Sequence, residues 1–446
     1  MGLLHQYNTT SILALTIASS IIMIIDSVLT SIYTSIPKDP DPLINSFVFT
    51  AFVAFFIFSN YIFLRYYKKS SANDLKSTLG IRELTSKSIV VCQIALSSIL
   101  LLIMAQIFAF ERYDLVLITS AIYISHLGAI GLLVLLAYQF VRWFVASKNY
   151  LIVAYAFAFG VIILSLITSL VFLSIDLSYR DPTVKMKSIK TAISDYSTLG
   201  TKLSSLADLY TYLSIISFVS IWIPSIIMLR TYSRRLGRIR YWALVSIPLI
   251  YFFFPYFGNQ FRIFDNFLLE YGMEFNLIYY SMFSSYKQIG GLLFGIVFWV
   301  IASKIKRQNL KIPLRIAGIG MTLLFGSAVL HGLTFIVSPP FGLVTISFMS
   351  LASYMLLIGI FTTAKELSRD ISVRREIYKI AGEHSDLLRN IGIAESKKIL
   401  EKRVSGILNK MKDEIDAPLQ PELEESDYKK FIEDALAEVK SSKKQQ

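Results

Sequence analysis

Apolar residues in this chain do not recur at amphipathic spacing. They come in long uninterrupted blocks separated by short polar stretches. A helix needs about 18 or more apolar residues to cross a hydrocarbon core of about 30 Å. Ten blocks reach that length or come close to it, at 11–34, 44–64, 88–110, 116–141, 151–175, 209–229, 241–258, 277–302, 316–337 and 342–363. The pattern therefore predicts an all-α fold, a polytopic transmembrane helix bundle of about ten spans. The first block does not read as a signal peptide, because no Lys or Arg precedes it, its core is too long and no A-x-A site follows. The seventh is short and interrupted by Pro248 and Pro255. After it, residues 259–276 place Phe261, Phe264 and Phe267 at three-residue spacing, which predicts an amphipathic helix on the outer interface, with a re-entrant segment as the alternative.

At Ala364 the pattern changes, dividing the chain into a membrane domain over 1–363 and a cytosolic helical tail over 364–446. No Pro or Gly lies between Phe361 and Ala381, so the tenth span is expected to run on as one rod, projecting about 27 Å over Thr363–Ala381. Gly382 and Gly392 read as interruptions. A further helix is expected through Glu395–Leu408, a linker at Asp416–Pro421, and a last helix from Ser426 with Tyr428, Phe431, Ile432 and Leu436 on one stripe.

Composition agrees with a membrane class: 54% of the 446 residues are hydrophobic and only 17% are charged, against about 25% in soluble chains. Charge then sets orientation. With the N-terminus inside, the inner loops hold 18 Lys/Arg against two acids, and the outer loops hold 8 Lys/Arg against eleven acids. Both termini are thus expected in the cytosol. The net charge of +13 lies in short juxtamembrane loops such as Arg230–Arg240 and Lys304–Arg307, which fits a belt facing anionic lipid headgroups rather than nucleic acid. The single cysteine, Cys92, lies inside a span and excludes an internal disulfide.

The longest outer loop, 176–208, divides the spans five and five, the arrangement of inverted repeats in many secondary transporters. Such repeats break their first helices with Gly or Pro. Span six has Pro224, but span one has neither. Gly291-Leu-Leu-Phe-Gly295 in span eight, and Gly128 with Gly131 in span four, read as helix-packing positions.

Four ionisable residues fall within spans: Asp26, His126, Lys287 and His331. Each is costly in hydrocarbon and so is a candidate for a ligand or ion pocket. All four lie on the outer side of their spans' midpoints, as does Gln106, which an outward-facing cavity explains. Opposite charge at similar depth suggests that Asp26 pairs with Lys287. The plainer readings are a snorkelling Lys287, neutral histidines bonded to neighbouring helices, and Asp26 at a helix contact with Ser27 and Thr30. Within-helix ligand spacing is absent, so no metal is expected, and no cofactor. No catalytic motif (G-x-S-x-G, H-E-x-x-H, P-loop or Rossmann fingerprint) is present.

The strings Val373-Arg-Arg-Glu-Ile-Tyr-Lys-Ile, Ser385-Asp-Leu-Leu-Arg-Asn-Ile-Gly-Ile-Ala394, Lys402-Arg-Val and Tyr428–Glu438 resemble the tails of multi-pass membrane proteins of ammonia-oxidising archaea. The resemblance covers roughly the last 75 residues, with Leu-Leu-x-x-Ile-Gly its most specific part. It implies an archaeal cell membrane and a tail of common design, and it carries over no functional residue. His384 sits in a string similar to a histidine-kinase phosphoacceptor box, but the proline of that box is missing and only 62 residues follow. Three functions are compatible with this sequence. The first is a sensor or transducer coupling an outer pocket to the tail, which would dock a cytosolic protein partner. The others are a small-solute transporter and a membrane scaffold.

Overall fold

A computed structural model describes residues 9–35, 42–71, 79–110, 113–178, 189–230, 237–261, 264–283, 285–305, 307–327, 339–369, 388, 390–400 and 404–405. The helices are α1 Thr9–Ser35, α2 Pro42–Ser71, α3 Leu79–Phe110, α4 Leu115–Ser147, α5 Tyr150–Ser178, α6 Ile189–Leu229, α7 Arg238–Gln260, α8 Asp265–Phe283, α9 Tyr286–Lys304, α10 Gln308–Gly326 and α11 Leu343–Arg369. No strand occurs among the described residues. Nine stretches among them are helical, long and apolar enough to cross a membrane, and α8 and α9 together supply one of these. The block expected at 316–337 appears as α10, which starts earlier, carries Pro313 inside it and is followed by residues outside the described set. The stretch 176–208, read as an outer loop, is helical from Ile189 onward, so α6 runs 41 residues.

The span expected at 277–302 is not one straight helix. It breaks at Ser285, and α9 begins at Tyr286 inside the bundle. Just before it, α8 is two helices folded across Gly272, whose φ of 49° is a left-handed conformation that suits glycine. The fold closes on aromatic rings, with Phe264 against Phe275 and Tyr279, and Phe254 of α7 against Phe264 and Phe283. The region expected to lie on the interface or re-enter is therefore a pair of helices folded across Gly272, packed against α1 and touching α7 through Phe254 and Phe283. Phe267 and Tyr271 remain about half exposed on it.

At the centre stands α11. Its whole apolar window is buried, enclosed by α1, α2, α3, α4 and α10. Small residues allow this. A Cβ on Gly320 of α10 would strike the backbone of Ala352 and Leu356, and one on Gly359 of α11 would strike that of Pro313 and Ala317. On the other side of α10, Gly295 of α9 packs against Thr322 and the Gly318 carbonyl. Without a hydrophobic drive between helices in lipid, such close backbone approach is a main source of association. Polar ties add register. Asn60 donates to Gln93 at 2.8 Å, and Gln93 donates to Ser350 at 2.7 Å, linking α2, α3 and α11. Large apolar side chains such as Val91, Ile94 and Leu102 of α3 point outward, as expected of surface that meets lipid tails rather than water.

The tail turns back. Residues 390–400 are helical, and Leu388, Ile391 and Ala394 are buried against the bundle. Gly392, expected to interrupt a helix, instead lies within one, because its missing side chain lets the segment close on Leu367 of α11. Glu395 accepts hydrogen bonds from Trp143 Nε1 at 3.0 Å and Gln139 Nε2 at 3.3 Å, both on α4, and Ser396 donates to the Ser368 carbonyl at 3.0 Å. The expected rod is described only as far as Arg369. Residues 370–387, with His384, and the helices expected beyond Val404 lie outside the described residues.

Candidate intramembrane site

A helix start has backbone N–H groups without intrahelical partners. At the head of α11 those groups meet Asp26 of α1, a residue with no exposed surface. Its Oδ1 accepts from Gly342 N at 2.8 Å, and its Oδ2 accepts from Thr345 N at 3.0 Å and Thr345 Oγ1 at 2.7 Å. One carboxylate thus caps another helix, and the positive end of that helix's dipole offsets its burial. The expected ion pair with Lys287 does not form. The depths do match, since Gln288 donates to Ser27 at 2.7 Å, linking the neighbours of the two charges. The groups themselves take different partners, because the backbone donors of α11 engage the carboxylate.

Lys287 sits in the first turn of α9, with its Nζ donating to Tyr210 Oη at 3.3 Å and lying 4.8 Å from the centre of the Tyr210 ring. The Tyr286 ring is 5.8 Å away. Among the described residues no carboxylate reaches it. Desolvating an ammonium costs several kcal/mol, and a cation–π contact returns about 2 kcal/mol even when dry. The Lys287 environment is therefore short of negative charge. Its place at a helix N-terminus sharpens this, since the dipole there favours an anion and disfavours a cation.

Lys287 opens onto a small, partly open cavity of about 40 Å³. His126 of α4 also lines it, so the structure brings two of the four candidates together. His126 Nδ1 lies 3.0 Å from the Ile122 carbonyl, which can only accept, so Nδ1 carries a proton. One wall is hydroxylated, with Ser165 and Ser169 of α5, and Ser214, Ser217 and Tyr210 of α6. Ser217 donates to the Ser214 carbonyl at 2.8 Å, whereas the Ser169 hydroxyl has no hydrogen-bond partner among the described residues. Much of the remaining lining is apolar: Phe218 and Phe252, stacked at 3.8 Å, with Phe325, Leu324 and Met349. Asp26 lies outside the lining, and His331 lies outside the described residues.

The serines are the residues that sequence reading passed over. Their signal is present: Ser165 and Ser169 are four apart, Ser214 and Ser217 three apart, so each pair shares a helix face on consecutive spans. The cavity occupies the half of the bundle remote from the docked tail, since Lys287 and Met349 lie early in α9 and α11 and the tail clasps the far end of α11. Among the described residues no group of three or more His, Cys, Asp or Glu could hold a metal ion. No family model, curated protein or solved structure matches the chain.

Proposed function

We propose that this is a membrane sensor or transducer, in which occupancy of the cavity is read out by the tail through α11. One observation carries the reading: α11 touches the cavity at Met349 near its head and holds the tail at Leu367 and Ser368 near its end. A rigid buried helix joining two sites can transmit a shift or rotation, which is what coupling between sites requires. The loop-charge asymmetry supports a cavity facing outward and both termini in the cytosol, and the tail's resemblance supports an archaeal cell membrane. Anionic headgroups would meet the basic loops, and a cytosolic protein would dock on the tail.

The test is hydrogen exchange of residues 388–400 in the full chain in nanodiscs. Filling the cavity by Ser169→Phe should change exchange in the tail by several-fold. Unchanged exchange in a folded variant would overturn the coupling. Orientation has its own check: in a Cys92→Ser background, Ser197→Cys and Ser233→Cys should label from opposite sides with an impermeant reagent. Labelling of both from one side would overturn it.

A secondary transporter is the second reading. Its support is that two helices lining the cavity, α6 and α7, carry Pro224 and Pro248 inside them and that the chain breaks at Ser285 before α9. These features are akin to the discontinuities that line transporter sites. Under that reading, solute flux in proteoliposomes survives deletion of residues 388–446.

A further inference from the structure

We propose that the cavity takes an organic monocarboxylate, with the carboxylate on Lys287 and an apolar body against the aromatic wall. The proposal rests on the cavity being a ligand site, as in the sensor reading, and specifies what enters it.

Charge decides the class. Among the described residues the lining carries one formal charge, the Lys287 ammonium, with no carboxylate in reach. A neutral occupied site then needs one negative charge from the ligand. Geometry agrees, because Lys287 sits in the opening turn of a 19-residue helix whose first N–H groups are unpaired within it. A carboxylate can accept from an ammonium, from Tyr210 Oη and from a serine hydroxyl at once. Ser169, 2% exposed and without a partner among the described residues, is such a donor in the lining. The rest of the ligand is set by Phe218, Phe252 and Phe325, which offer rings but no polar atom. A cation is disfavoured by Lys287. A dianion would leave one charge unmatched. A small inorganic anion would satisfy the ammonium but leave the aromatic wall dry and unfilled.

Two sources share this chemistry: a free short-chain acid and a fatty acid from the bilayer. The experiment uses the full chain in phosphatidylcholine nanodiscs and measures binding by calorimetry and thermal shift. The probes are hexanoate, hexanol, hexylamine and chloride, with oleate doped into the lipid as a separate arm. Hexanoate should bind saturably and raise the melting temperature. Hexanol, hexylamine and chloride should bind at least about tenfold more weakly, the loss expected for one charge-assisted contact. Lys287→Met should weaken hexanoate by a similar factor, Lys287→Arg should retain most of it, and Ser169→Phe should abolish it while the variant still folds. Saturable competition by oleate identifies the bilayer as a source; its absence leaves the free acid. Equal binding of hexanol or hexylamine, or unchanged hexanoate binding by Lys287→Met, would overturn the ligand class. Hexanoate binding without any change in tail exchange would overturn the transducer reading and leave the ligand class standing. A tail that responds to Ser169→Phe in a protein that binds no carboxylate would do the reverse.

Discussion

Asp26 carries the most consequential side-chain contact in the bundle, and its chemistry is that of a cap displaced in sequence. Three donors from Gly342 and Thr345 converge on it, and all are buried. Removing the acceptor strands them, at about 1–3 kcal/mol for each lost buried partner. Asp26→Ala should therefore destabilise the protein strongly in detergent, and Thr345→Val, which loses one hydroxyl contact, by about 1 kcal/mol. Because they share one network, the double variant should fall short of additivity by about 0.5–3 kcal/mol. Additive losses in thermal unfolding would separate Asp26 from the head of α11. The sequence marks Asp26 as a charge that must be neutralised but does not reveal by what. A carboxylate and an ammonium at equal depth suggest each other, whereas backbone donors 316 residues away leave no side-chain signature. Lys287 and His126 stand out in the sequence because ionisable groups in apolar runs are rare. The serines do not, because hydroxyls in a span usually bond their own helix, as Ser347 bonds Leu343 at 2.8 Å.

At the level of elements, hydrophobic blocks specify where helices run but not which of them touch. Glycines carry part of that missing information, and they are not equivalent. Gly359 of α11 faces the backbone of Pro313 and Ala317, atoms that no rotamer change can move aside. Gly160 of α5 has nothing within 4 Å of where its Cβ would be. Gly359→Leu should force α10 and α11 apart at a cost of about 3 kcal/mol or more, while Gly160→Leu should be near neutral. Melting temperatures of the two variants in the same detergent check this, and equal effects would refute the seam. The same contrast separates the two glycines of span four, since Gly128 meets Ser350 and Cys92 and Gly131 meets nothing. The break at Ser285 is harder to read from sequence. Residues 277–302 have no Pro, and the polar run Ser284-Ser-Tyr-Lys-Gln288 at the joint is too short to divide the apolar block into two.

Across the whole molecule, the described part of the tail packs on the bundle, and Glu395 supplies its hydrogen bonds to α4. Composition locates the change from membrane domain to tail but not the return of the tail, because Leu388, Ile391 and Ala394 read equally well as the seam of a free helix. The contact combines these apolar residues with a buried polar cluster. Glu395 takes the indole N–H of Trp143 and the amide of Gln139, with Lys398 3.8 Å from its other oxygen. Trp143 is 2% exposed and Glu395 8%, so water does not readily replace either partner. Glu395→Ala leaves two buried donors unanswered, at about 1–3 kcal/mol each, and each 1.4 kcal/mol raises the undocked population about tenfold. Trp143→Phe removes one donor and part of the ring but leaves the Gln139 donor in place, so its effect should be smaller. Amide exchange in residues 390–400 should accordingly rise more than tenfold in Glu395→Ala and less in Trp143→Phe, while exchange in α9 and α10 stays unchanged. A second readout fixes the geometry. Cysteines replacing Ser368 and Ser396, in a Cys92→Ser background, should form a disulfide in the otherwise native sequence and form it more slowly with Glu395→Ala. Fast cross-linking in both backgrounds would show that Gly392 and its apolar neighbours hold the tail without Glu395. Failure to cross-link in either would mean that the segment does not rest on the end of α11, and the path from cavity to tail would lose its last link.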